Sequence, residues 1–249
     1  MRIWIVGGSG GIGYALVKRW LGEGHRVVVS ARSAENAEPL QNLAAVYGKN
    51  LSAVNLDVMD DGGMDEACRR AWKAFDGIDL WFYNPGAYEP MGTDEWNLDA
   101  FERMTQINYM GAVRLMTRLL PYFEHHGSGR WVWNASLASY FGLPYGGGYS
   151  APKAALVNLA ESLQPELMQK NIRLQIINHG FVKTRLTAKN DFEMPGLMTP
   201  EYAAGRIADA LQNSERFETH FPKKLSFFLG LLRLLPYRIS LALTRKMLR

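Results

Sequence analysis

Cysteine is almost absent. Cys68 is the only one in 249 residues, so an intrachain disulfide, a cysteine-built zinc site and a paired-thiol redox centre are all excluded. A reducing compartment suits such a chain. Long apolar runs are missing too: no stretch offers the roughly 18 to 20 uncharged apolar residues that a bilayer span requires. Met1 and Arg2 lead straight into an apolar run and a glycine turn, which leaves no room for a signal peptide's apolar segment and cleavage site. The expectation is a cytoplasmic protein. Histidine is scarce, and His125 and His126 are neighbours that would point apart on a helix, so no metal site is expected. Acidic residues are absent from Phe221 to Arg249, where seven cations stand (Lys223, Lys224, Arg233, Arg238, Arg245, Lys246 and Arg249). With 28 basic and 24 acidic residues in all, the preceding body is slightly acidic and the tail supplies the whole basic excess.

What is abundant is apolar surface, at 47% hydrophobic and 12% aromatic residues, enough for one domain with a substantial core. No linker or low-complexity run divides the chain, and no repeat of fixed period is visible. Short apolar runs at 3–6, 26–30, 51–56, 78–83, 130–134 and 173–178 read as strands. Helical patterns fall between them at 12–23, 35–47, 63–75, 95–123 (one helix or two) and 151–169, with a further helix at 200–212 and a last strand near 217–221. That alternation predicts βαβ units, and right-handed crossovers place helices on both faces of a doubly wound parallel sheet. The expected division is a domain over 1–220 and a basic, amphipathic extension over 221–249.

Directly after the first run, Gly7, Gly11 and Gly13 are spaced G-x-x-x-G-x-G around Ser9, with a helix opening at Ile12. Glycine here permits a tight turn and lets a pyrophosphate approach backbone N–H groups at the helix's positive end. The reading is a dinucleotide site in a Rossmann-like sheet. A plain strand-to-helix turn would have the same look in isolation. The second strand ends Ser30-Ala31-Arg32-Ser33. An NAD site carries a carboxylate there for the ribose 2′-hydroxyl, whereas a 2′-phosphate needs a cation. Ser30 is taken as the residue in the carboxylate's place. Arg32 could fork onto phosphate oxygens with Ser33 adding a hydroxyl, so NADP(H) is favoured over NAD(H), unless Arg32 is simply solvated.

Further along, Asp57-Val58 follows the third strand, either as a turn former or as a base contact. The fourth leads into Tyr83-Asn84-Pro85-Gly86-Ala87. Tyr149 and Lys153 stand four apart, on one face if helical, with Ser136 just past the fifth strand. In this order and spacing the residues resemble the short-chain dehydrogenase/reductase family, in its ketoreductase-like, NADP-preferring form, over roughly residues 1 to 220. The resemblance implies an NADP(H)-dependent oxidoreductase that interconverts a ketone and a secondary alcohol by hydride transfer. It implies Tyr149 as acid and base, Lys153 as its electrostatic partner and ribose ligand, and Ser136 on the substrate oxygen. Asn108 would organise a proton relay behind the lysine, or else serve only as a local hydrogen-bonding group. Asp57 and Val58 would meet the adenine, Asn84 and Gly86 the cofactor, and Gly180 and Thr184 the nicotinamide side. Three positions depart from the family pattern: Tyr83, Pro85 and His179, the last either structural or functional. The resemblance also implies a dimer or tetramer built through the long fourth and fifth helices.

Tyr140, Phe141, Leu143 and Tyr145, with Phe192, Met194, Leu197 and Met198, would face a hydrophobic carbonyl or alcohol substrate, or pack against each other. In the tail, Phe227, Phe228, Leu231, Leu234, Leu235 and Ile239 alternate with cations in two short helices split by Pro236. They suit an anionic membrane surface, packing on the body, or a subunit interface. Nucleic acid is not expected, because the tail lacks polar groups for reading bases. The competing class is a non-catalytic dinucleotide sensor or a membrane-surface scaffold that keeps the fold.

Overall fold

The computed structural model describes residues 1–248; Arg249, counted among the tail's cations, lies outside them. Seven parallel strands form one sheet in the order β3-β2-β1-β4-β5-β6-β7. They are β1 (Arg2–Val6), β2 (Arg26–Ala31), β3 (Leu51–Asn55), β4 (Leu80–Tyr83), β5 (Gly129–Asn134), β6 (Ile172–His179) and β7 (Glu218–Phe221). The order reverses direction at β1, between β2 and β4, so the carboxyl ends of β1 and β4 frame the crevice in which such sheets hold ligands.

Helices α1 (Gly11–Gly22), α2 (Glu38–Tyr47) and α7 (Pro200–Asn213) cover one face; α3 (Met64–Lys73), α5 (Gly111–His126) and α6 (Gly147–Met168) cover the other, with α4 (Leu98–Thr105) packed against α6. Side chains alternate along each strand, and both sets are apolar because both faces are covered. Ile3, Ile5, Val27, Val29, Leu80 and Phe82 meet α1, α2 and α7. On the opposite face Trp4, Trp81 and Trp131 are register neighbours across three strands. Trp81 and Trp131 meet edge to face at 5.2 Å. These indoles give the α5–α6 side its bulk.

Local sequence explains the boundaries. Pro39 lacks an N–H and fits only the first helical turn, so α2 opens at Glu38 instead of the expected 35. Helix α7 starts after Thr199, whose side chain accepts the Tyr202 N–H at 3.1 Å, with Pro200 in its first turn. Helix α6 begins at Gly147, a turn before the expected 151, which brings Tyr149 inside the helix with Lys153. The pattern at 95–123 is not broken in two: α4 runs into α5 through a wide π turn at Gln106–Met110. The tail forms α8 (Lys223–Leu234) and α9 (Tyr237–Arg245), on either side of Pro236.

Candidate active site

The glycine turn is built as a cradle. Gly7 and Gly11 have φ of +80° and +53°, which glycine adopts without strain. A Cβ on Gly13 would stand 2.1 Å from the Gly7 carbonyl oxygen and 2.8 Å from Asn84 Nδ2. Only glycine lets the first turn of α1 pack this tightly on the loop, which leaves the loop's N–H groups beside the positive helix end. Asn84 fastens the arrangement: its amide donates to the Gly7 carbonyl at 2.8 Å and its oxygen accepts from Asn134 Nδ2 at 2.8 Å.

From this cradle a cleft of about 1940 Å³ runs across the carboxyl ends of the strands. Small-ligand pockets usually hold about 300 to 1,000 Å³, so this one has room for a dinucleotide and a substrate together. Gly7, Ser9, Gly11, Ile12, Arg32, Ser33, Asp57, Val58, Asn84, Gly86, Ser136, Tyr149, Lys153, Gly180 and Thr184 all line it. Gly13 acts from beneath, through the backbone approach just described. Thr184 lies against the cradle, since a Cβ on Gly11 would come within 3.1 Å of its methyl. These residues fit a nicotinamide dinucleotide: a glycine cradle for the pyrophosphate, a cation at the β2 end, and a lysine beside a tyrosine at the far end.

Ser30 does not occupy the position that sequence assigned to it. Its side chain is fully buried and its hydroxyl accepts the Trp4 indole N–H at 3.0 Å, inside the core. The residue at the end of β2 that faces the cleft is Ala31. Strand alternation decides this: Ser30 shares the core face with the register-paired Val6. Ala31 offers no carboxylate to the cleft either. Asp57 faces the cleft and also closes its own turn, accepting the Met59 N–H at 3.0 Å.

At the far end, Lys153 is buried and its ammonium donates to the Asn134 carbonyl at 2.7 Å. The same Nζ lies 5.9 Å from the centre of the Tyr149 ring. Burial pushes the lysine down to about 7. Burial also pushes the Tyr149 phenol up, to about 12, against the opposing effect of its hydrogen bond with Ser136. Desolvation is the largest influence on the phenol, and the neighbouring Tyr88 adds to the rise. Ser136 is set by its backbone: its N–H donates to Asn178 Oδ1 at 3.1 Å and its hydroxyl accepts the Ala138 N–H at 3.2 Å. Asn108, fully buried in the π turn, grips Ala87 from both sides: it accepts that residue's N–H at 2.9 Å and donates to its carbonyl at 2.8 Å. Its side chain therefore anchors the 84–87 segment. His179 lines the cleft, holds the Gly180 carbonyl at 2.7 Å through Nδ1, and is kept neutral as burial pushes it down to about 4.

The substrate end is partly as expected. Leu143, Tyr145 and Phe192 line the cleft. Tyr140 does not: its hydroxyl donates to Glu218 and its ring packs with Phe141 against Leu137, Leu229 and Leu232. Met198 is a core residue under α7, Met194 receives the Asn190 amide on its sulfur, and Leu197 is exposed. Sequence reading missed Tyr88, whose ring meets Tyr149 edge to face at 5.3 Å. It also missed the tail: Lys223, Lys224, Leu225, Phe228, Leu229 and Met247 line the same cleft. Nothing in local spacing joins residues 88 and 228 to residue 149; only the fold does. Among the described residues no cluster of three or more candidate metal ligands occurs, and no helix is long and apolar enough to cross a membrane.

Comparisons with known proteins bear on this geometry. A family model described as short chain dehydrogenase matches residues 2–194. An uncharacterized oxidoreductase of Myxococcus xanthus is 28% identical over 243 residues, covering 98% of this chain and 96% of the relative. One from Mycobacterium tuberculosis is 29% identical over 218 residues, and the match spans 64% of that protein's length. Among solved structures, a short chain dehydrogenase from Burkholderia cenocepacia in complex with NADP superposes with a TM-score of 0.82 at 20% identity, over 100% of this chain and 97% of that one.

Proposed function

The chain belongs to the short-chain dehydrogenase family, and from that membership we propose that this NAD(P)-dependent oxidoreductase reduces a hydrophobic ketone to a secondary alcohol with NADP(H) as its coenzyme. One observation carries the reading: the Tyr149 phenol and the Lys153 ammonium share a buried pocket with the Ser136 hydroxyl at the end of a cleft that begins at the glycine cradle. A sensor that had abandoned catalysis would have no use for that trio.

When bound, the coenzyme supplies hydride to the carbonyl carbon. What the chain must supply is a proton and a place for negative charge on the oxygen. A phenol at about 12 stays protonated near neutrality, so Tyr149 is ready to donate. Ser136 orients the carbonyl oxygen by hydrogen bonding. Lys153, held by the Asn134 carbonyl, steadies the phenolate left behind and, as the family resemblance implies, would hold the nicotinamide ribose. Asn108 acts as a positioning residue by fixing Ala87. Gly7, Ser9, Gly11, Ile12 and Gly13 receive the pyrophosphate; Asp57, Val58, Asn84 and Gly86 bound the adenine and ribose; Gly180 and Thr184 meet the nicotinamide. The NADP(H) preference is supported by Arg32 and Ser33 on the cleft edge and by Ala31 in place of a carboxylate. The structurally similar Burkholderia cenocepacia protein is in complex with NADP.

Leu143, Tyr145, Phe192, Leu225 and Phe228 on the substrate end support an apolar substrate. In this reading residues 1–220 are the dinucleotide-binding domain and 221–249 an appended element. The enzyme works in the cytoplasm as a dimer or tetramer built through α4, α5 and α6. The test is NADPH oxidation with a panel of aliphatic, aromatic and acyl-thioester ketones. Wild type turns over at least one of them, and Tyr149→Phe lowers kcat on it by at least about a hundredfold, the scale of a lost general acid. Equal rates for the two proteins would refute the assignment.

A further inference from the structure

The tail has two faces with opposite chemistry. Inward, Leu229 and Leu232 of α8 are buried with Leu137, and Leu225, Phe228 and Leu229 line the cleft. Outward, Phe227 is 75% exposed, Leu234 83% and Tyr237 76%, with Leu231, Ile239 and Leu241 also exposed. In α9 the polarity is inverted. Its buried side chains are Ser240 and Thr244, whose hydroxyls bond to carbonyls of their own helix, while Ile239, Leu241 and Leu243 face out. A helix that serves a protein core does the reverse. The apolar residues of α9 are therefore directed at something other than this body.

Charge says what that is. The same segment carries Lys223, Lys224, Arg233, Arg238, Arg245 and Lys246, all exposed, and no acidic residue. A second copy meeting this face in a two-fold dimer would set these cations against themselves. A surface that is apolar beneath and negatively charged above satisfies both features.

We propose that α8 and α9 seat the protein on an anionic lipid bilayer, with Phe227, Leu234, Tyr237 and Leu241 in the acyl boundary and the tail's cations among the headgroup phosphates. Because the inner face of α8 lines the cleft, the seat turns the cleft's substrate end toward the lipid. An apolar carbonyl compound dissolved in the bilayer then enters past Leu225 and Phe228 without crossing water. This last step rests on the oxidoreductase reading; the docking does not.

The experiment is flotation of the full chain with vesicles of phosphatidylcholine alone or mixed with phosphatidylglycerol, at low and high salt. It is repeated with Phe227→Ser/Leu234→Ser/Tyr237→Ser and with Arg238→Gln/Arg245→Gln, each variant checked for a wild-type melting curve. Wild type floats with the mixed vesicles and stays behind with phosphatidylcholine. The serine variant stays behind with both. The glutamine variant partitions roughly thirtyfold more weakly, at about 1 kcal/mol per basic residue removed. Wild type that remains soluble with anionic vesicles overturns the proposal, and so does flotation unaffected by the serine changes. If the serine variant instead breaks an oligomer seen by light scattering while vesicle binding is nil, the face is an interface between copies and the proposal fails. Activity is read separately. The serine variant keeps wild-type rates on a water-soluble ketone and slows on a vesicle-dissolved one. Absence of turnover on every ketone would refute the oxidoreductase reading and leave the flotation result standing.

Discussion

Lys153→Met makes the most exacting test of the site, because it predicts a more stable and less active protein. The ammonium is buried and has one carbonyl partner, Asn134 at 2.7 Å. Burial takes its pKa from 10.5 to about 7. Between those values the unfolded chain holds a proton that the folded chain does not, so stability rises with pH across that window. The burden is therefore full below pH 7 and gone above 10.5. At pH 7 it comes to about 4 kcal/mol, from 1.36 kcal/mol per pKa unit. Methionine is apolar and of similar length, so it removes that burden, but it strands the Asn134 carbonyl at about 1 to 3 kcal/mol. The net expectation at pH 7 is a gain of about 1 to 3 kcal/mol, or a Tm higher by roughly 3 to 10 °C for a chain of this size. Above pH 10.5 only the stranded carbonyl is left and the variant melts below wild type. Thermal melts of both proteins at a series of pH values from 6.5 to 11 read the crossing directly. A Tm difference that is negative at pH 7, or constant with pH, would refute the claim that the lysine is held against its charge.

Two other substitutions probe separate parts of the cleft. Arg32→Ala should raise the Kd for NADPH about tenfold or more, the scale of a charge-assisted hydrogen bond, and leave that for NADH unchanged; titration by fluorescence reads both, and equal weakening of the two would remove Arg32 from the phosphate. Asn108→Ala leaves the N–H and carbonyl of Ala87 without the partners they have at 2.9 and 2.8 Å; at about 1 to 3 kcal/mol for each, the Tm should fall by roughly 4 °C or more, with kcat reduced as the 84–87 segment loosens. An unchanged Tm would mean that Ala87 finds water and that Asn108 is not its anchor.

How much of this was legible in the sequence follows from the range of the forces involved. The strands were readable to within a residue or two because a parallel sheet covered on both faces needs continuous apolar runs, and turn residues fence them. The cradle was readable because Gly7, Gly11 and Gly13 answer to local backbone geometry. Tyr149 and Lys153 were readable because one helix sets their spacing. Ser30 was misplaced because the face of a strand residue depends on register, and a shift of one residue exchanges core for cleft. The rise in the phenol's pKa was not legible at all, since spacing reports a neighbouring cation and says nothing about how deeply both groups are desolvated.

The position of Ser136 shows why a motif alone cannot define the site. Its N–H is held by Asn178 Oδ1 at 3.1 Å, and the Ser139 hydroxyl meets the same oxygen at 3.3 Å. The other half of that amide donates to Glu218 at 2.7 Å, and Glu218 also accepts the Tyr140 hydroxyl. Glu218 lies on β7, the strand that leads through Phe221 into α8. Tyr140 in turn packs on Leu229 of that helix. A serine placed by one loop is thus tied, through two amide atoms and a carboxylate, to the segment that turns outward to the tail's exposed face. The placement of Ser136 therefore depends on hydrogen bonds and packing from β6, β7 and α8, none of which its own motif contains.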